Sequence, residues 1–262
     1  MFTKNLILVC VVSLAFSGVA QAAPITFAEA ANNFVAATSG QTTKTATGNP
    51  NGLTDSSGLG AGAGYWNYYG STDGGSGAPG VLTLLTWKSV GSPTINTYGG
   101  TAQFGTAAVA KGASIFGSTV PAADELAIHP GDNAANASTV LSWTAGTGEA
   151  TTTLGISASI TRDNYTTDPN DNSAFLVYVN GVQKYNLSIA GTDISTHTYS
   201  DSGLTIAAGQ TVDLVYWRNG RFNADEARIK STITGTIPEP GSLSLLGLFG
   251  GAFLLRLRRR NK

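Results

Sequence analysis

Between Thr153 and Thr161 apolar and polar residues alternate, with Leu154, Ile156, Ala158 and Ile160 on one side and Thr153, Ser157, Ser159 and Thr161 on the other. A period of two predicts a strand with one buried and one wet face. Residues 174–179 and 182–189 are a second pair of β-rich runs. They flank Asn180-Gly181, a dipeptide that tolerates the positive φ values of a type I′ turn, so the pattern predicts a hairpin. Strand signals begin at 81–88 and recur at 211–217 and 227–234. Short strands separated by turns rich in Gly, Asn and Asp predict an all-β fold, an antiparallel two-sheet β-sandwich of jelly-roll type.

Residues 40–80 break this rhythm. They are dense in Gly, Thr, Ser and Asn around the aromatic run Tyr65-Trp66-Asn67-Tyr68-Tyr69, and read as a long, partly ordered surface region. No fixed period is present, which disfavours a solenoid.

Composition agrees with strands and turns. Charged residues make up 12% of the 262, and long helical runs of Leu, Glu and Lys are absent. Residues 23–236 hold nine Lys plus Arg against fifteen Asp plus Glu, a net charge of −6. A mildly acidic body without a basic stripe lacks the footprint that nucleic-acid binding needs. Cys10 is the only cysteine and falls in the leader described next, so a thiol nucleophile, a redox pair, a disulfide and a cysteine zinc site are all excluded from the body.

The two ends differ from the body. Lys4, the apolar stretch 6–16 and the small-residue site Ala20-Gln21-Ala22 form a secretory leader over residues 1–22, a substrate for signal peptidase with Ala20 and Ala22 at the cleavage site. At the far end, Pro238-Glu239-Pro240 precedes an apolar segment, 243–255, and then Arg256, Arg258, Arg259, Arg260 and Lys262. As a helix, that segment is about 20 Å long, against a hydrocarbon layer of about 30 Å, so it lodges in a membrane only marginally. The cationic cluster resists translocation and orients the body outward.

Residues 237–262 resemble the PEP-CTERM sorting signal of Gram-negative bacteria, with tripeptide, Leu/Gly-rich span and terminal arginines in order. The resemblance implies processing by an exosortase, a membrane-embedded cysteine transpeptidase. Pro238, Glu239 and Pro240 would be its recognition residues and Arg256, Arg258, Arg259 and Arg260 the stop. Residues 23–236 would then be the delivered body, transiently held at the inner membrane and passed to the cell surface or extracellular matrix. Segments 126–131, 177–181, 204–209 and 212–215 also resemble the β-sandwich bodies found ahead of such tails.

Chemistry is sparser. Tyr65, Trp66, Tyr68, Tyr69 and Trp217 could stack on sugar faces as a glycan platform, or fill cores as aromatic rings ordinarily do. The run from Asp163 to Asn172 supplies oxygen ligands of the kind Ca²⁺ takes. It departs from an EF-hand at Ser173 and Val179, and its ordinary reading is a polar inter-strand turn. His129 and His197 lack the second histidine and glutamate of a zinc motif, and no serine sits in a nucleophile elbow. Asp124-Glu125, if on a strand, would point to opposite faces and could not act as a glycosidase pair. The expectation is an exported, non-enzymatic β-sandwich with a structural or interaction role and no cofactor or metal. A carbohydrate-binding module acting on extracellular polysaccharide is the alternative, and a glycan hydrolase the third reading.

Overall fold

Alternation along the chain becomes layering in space. The computed structural model describes residues 24–32, 34, 44–45, 64–73, 79–90, 95–99, 107–112, 114–115, 119–131, 137–163, 171–220 and 226–236. Among the described residues every regular element is a strand: β1 (Ile25–Glu29), β2 (Lys44–Thr45), β3 (Tyr65–Asp73), β4 (Pro79–Leu84), β5 (Thr86–Val90), β6 (Ile95–Gly99), β7 (Ala108–Ala110), β8 (Leu126–His129), β9 (Ser138–Thr144), β10 (Thr151–Arg162), β11 (Asp171–Val179), β12 (Val182–Ile189), β13 (Thr196–Ile206), β14 (Thr211–Gly220) and β15 (Ala227–Gly235).

The last eight strands form the heart of the fold. Sheet A contains β13, β10, β15 and β8 side by side, and sheet B contains β12, β11, β14 and β9, all antiparallel. Each connection crosses from one sheet to the other except the β11–β12 hairpin, which is the strand order of a jelly roll. That hairpin turns at Asn180 (φ 49°) and Gly181 (φ 73°) between paired Val179 and Val182, the conformation its dipeptide predicts.

On β10, Leu154, Ile156, Ala158 and Ile160 are buried while Ser157 is exposed. Burying each large aliphatic side chain contributes about 1.5–3 kcal/mol, and a one-residue slip would turn all of them to water. The register is therefore strongly specified. Phe27 of β1 stacks on Trp143 of β9 with ring centroids 6.1 Å apart, tying the two sheets together. Tyr185 of β12 and Tyr199 of β13 meet at 5.0 Å between the other edges. Where β10 ends and β11 begins, Arg162 Nη1 donates to the Asp171 carbonyl at 2.8 Å and Nη2 lies 3.0 Å from Oδ2, with both side chains fully buried.

The N-terminal strands widen both sheets. β1 shares one edge of β15 with β8, β7, β6, β5 and β2 extend sheet A beyond β8, and β3 and β4 extend sheet B beyond β9. The apolar run at 81–88 is not one strand. It divides at buried Leu85, whose N–H donates to the Tyr68 carbonyl at 2.9 Å as the chain passes from sheet B to sheet A.

The reading of 40–80 as a surface region is corrected where the structure describes it. Tyr65–Asp73 is a full strand hydrogen-bonded to β9, with Trp66 and Tyr68 buried. Aromatic residues occupy both of its faces, which hides the period of two. Residues 46–63 and 74–78 lie outside the described residues.

Residues Ile25–Thr236 make one compact unit containing every strand. The expected leader site at Ala20 and Ala22, the tripeptide Pro238, Glu239 and Pro240, the expected C-terminal helix and the terminal arginines lie outside the described residues. Among those described, no helix is long and apolar enough to cross a membrane.

Candidate carbohydrate-binding face

Alternation on three neighbouring strands of sheet B assembles the candidate site. In β14, Val212, Leu214 and Tyr216 face the core, which places Thr211, Asp213, Val215 and Trp217 on the outer face. The ladder then sets Asp213 opposite Ser142 and Ser142 opposite Asn67. One row along, Val215, Val140 and Tyr69 align, and on the other side Thr211, Thr144 and Tyr65. Adjacent strands lie about 4.8 Å apart, so β3 and β14 are separated by about 10 Å with β9 between them.

Glu149 fixes where this corner begins. Its buried carboxylate accepts from Gly64 N at 2.5 Å and from Gly146 N at 2.9 Å, holding the start of β3 against the β9–β10 turn. Beneath the aromatic rings Val140, Ala174, Leu176, Tyr178 and Val215 form a buried cluster, against which the half-buried Tyr69 and Trp217 pack. Tyr65 is 39% exposed. Tyr69 and Trp217 thus stand on a packed floor.

Asp213 supplies the polar centre. Ser142 Oγ donates to its Oδ1 at 2.5 Å and Thr211 Oγ1 to its Oδ2 at 3.1 Å. Burial raises its carboxyl pKa, and the two hydroxyl donors only partly oppose that shift. Burial also raises the Tyr69 hydroxyl pKa, with the nearby Tyr65 and Asp213 adding to the shift and a hydrogen bond with the Asn67 side chain opposing it. Tyr65, Tyr69 and Asp213 therefore share one electrostatic neighbourhood.

The five rings read from the sequence do not form one platform. Trp66 and Tyr68 point into the sandwich, where Tyr68 meets Phe34 at 5.5 Å. Tyr65, Tyr69 and Trp217 take the outer face, with Trp217 four residues from Asp213 along β14, about 13 Å away. Asp213 was missed by sequence reasoning. Its signal is a lone charged residue within the apolar run Val212-Asp213-Leu214-Val215.

The other candidates are engaged elsewhere. Asp124 and Glu125 precede β8 rather than lying on a strand. They pair with Lys230 and, at 3.2 Å, with Arg228. Asp163 pairs with Arg228 at 2.6 Å, Asp171 with Arg162, and Asn172 accepts from Gly191 N at 3.3 Å, so these three residues are bound internally. Residues 164–170 lie outside the described residues. No group of three or more potential metal ligands occurs among the described residues. His129 ends β8 and is buried, which depresses its pKa to about 3, while His197 contacts Asp193 at 2.9 Å.

No protein-family model and no curated protein matches the chain. Among solved structures it is similar to CBM51 from Clostridium perfringens GH95 in complex with methyl-galactose, at 15% identity and TM-score 0.34, covering 48% of this chain and 86% of the other. It is similar to CBM51-2 in complex with GlcNAc and INT domains from Clostridium perfringens ZmpB at 12% identity and TM-score 0.37, covering 74% and 40%. The CBM36-1 domain of a multidomain xylanase from the hindgut metagenome of Trinervitermes trinervoides matches at 13% identity and TM-score 0.27, covering 43% and 78%. Overlaps this distant carry no argument about a ligand.

Proposed function

We propose that this chain is an exported, non-catalytic β-sandwich that binds extracellular polysaccharide after a signal peptidase and an exosortase have removed its two ends. The leader at Ala20-Gln21-Ala22 and the tail from Pro238 to the terminal arginines support the export half of this reading. The observation that carries the binding half is the convergence of Tyr65, Tyr69 and Asp213 on one packed sheet face. Tyrosine rings offer apolar surface to the C–H face of a sugar, and a carboxylate accepts from its hydroxyls. Trp217 extends the same face by about 13 Å, long enough for an oligosaccharide rather than one ring.

Electrophoresis of residues Ile25–Thr236 through gels containing polysaccharides tests the reading. The protein should be retarded, and the double substitution Tyr65→Ala/Tyr69→Ala should weaken retardation by about tenfold in affinity under conditions where the variant stays folded, its melting temperature falling because Tyr69 packs on the buried cluster. Equal retardation of wild type and double variant would contradict the site, and migration unaffected by any polysaccharide would contradict the function.

A further inference from the structure

Asp213 lies on the outer face of sheet B with no ion-pair partner among the described residues. Outward positions on β3, β9, β11 and β14 carry Asp213 but no Lys, Arg or His, and Lys184 lies on the edge strand β12, two strands from Asp213. Among the described residues the partners of Asp213 are two neutral hydroxyls, those of Ser142 and Thr211, and no cation pairs with it. Arg162 and Asp171, in contrast, neutralise one another within the same body. A half-buried carboxylate with only neutral donors is poorly stabilised, and a cation brought to it gains a charge-assisted hydrogen bond at reduced dielectric. Tyrosine faces next to it also attract a cation.

Resting on the carbohydrate reading above, we infer that the ligand carries free amines, and that Asp213 with Tyr65 and Tyr69 selects an ammonium-bearing sugar such as a glucosamine unit. Asp213 receives the ammonium, while Tyr65 and Tyr69 cover the ring beside it. An N-acetylated sugar offers a neutral amide in place of the cation. A uronate or sulfate places like charge against Asp213 and is disfavoured.

Calorimetric titration of Ile25–Thr236 with four oligomers of equal length tests this: glucosamine, N-acetylglucosamine, glucose and galacturonate. Wild type should prefer the glucosamine oligomer by about tenfold or more over the neutral ones, and added salt should erode that preference. Asp213→Asn, which keeps side-chain size, should weaken binding of the glucosamine oligomer more than binding of the neutral ones and so reduce the preference to about threefold or less. Tyr65→Leu, at an exposed position, should weaken all binding without abolishing the preference. Equal wild-type affinity for amine and neutral oligomers, tighter binding of galacturonate, or an unchanged preference in Asp213→Asn would overturn the inference and leave carbohydrate binding standing. Absence of binding to all four would remove the carbohydrate reading itself.

Discussion

At the scale of single residues, two carboxylates show opposite solutions to burial. Asp171 has an arginine, and removing one partner leaves an unpaired charge in the interior. Arg162→Met should therefore destabilise the protein by about 3–5 kcal/mol, while Arg162→Met/Asp171→Leu should recover the larger part of that loss. Denaturant melts of the parent, Arg162→Met, Asp171→Leu and the double variant check this, and simple additivity of the two single losses would contradict it. Among the described residues Asp213 has no cation partner, and burial raises its carboxyl pKa above the unfolded value. The folded state then favours the neutral acid, so the contribution to stability is present at low pH and is lost as pH rises through the folded value. Asp213→Asn should raise the melting temperature at about pH 7, with the gain shrinking toward about pH 4 as the native carboxyl protonates. A variant that melts lower than wild type at neutral pH would show that ionised Asp213 stabilises the fold.

At the scale of elements, β3 joins the site to the fold. Gly64, which immediately precedes it, sits so close to the Thr144 carbonyl, the Glu149 carboxylate and the Trp143 indole that a Cβ there would collide with all three. Gly64→Ala should cost about 1–3 kcal/mol through overpacking and displace Tyr65 from the site. Thermal melts together with loss of polysaccharide retardation check both effects, and full stability would refute the close packing. The sequence made some elements easy to read and others hard for physical reasons. β10 has one wet face, so its period of two is plain, and Asn180-Gly181 announces its hairpin by a conformation few other residues tolerate. β3 has rings on both faces, Trp66 and Tyr68 inward and Tyr65 and Tyr69 outward, so burial leaves no alternation to detect. The sheet change at Leu85 is tertiary and leaves the apolar run 81–88 unbroken. Asp213 and Tyr69 become neighbours only through the long-range ladder of β3, β9 and β14, which local spacing does not encode.

At the scale of the whole molecule, the proposed function joins a jelly roll with one aromatic, acidic face to a leader and a sorting tail. On that proposal a 13-residue apolar segment followed by arginines would hold a membrane only marginally. Mass spectrometry of the surface fraction should find a C-terminus close to Pro238–Pro240 and no peptide from 243–262, whereas mature protein retaining its terminal arginines would favour a permanent anchor. The two faces of the sandwich also predict where a ligand goes. Sheet A presents the exposed hydroxyl residues Ser157, Thr198 and Ser200, while sheet B presents Tyr65, Tyr69 and Asp213. The most direct measurement is therefore an amide chemical-shift map of isotopically labelled Ile25–Thr236 titrated with the saccharides that retard it in gels. Saturable shifts should concentrate at Tyr65, Asn67, Tyr69, Ser142, Thr211 and Asp213 and leave the sheet A face still. Shifts that cluster instead on sheet A, or a spectrum that those saccharides do not move, would contradict carbohydrate binding at this face.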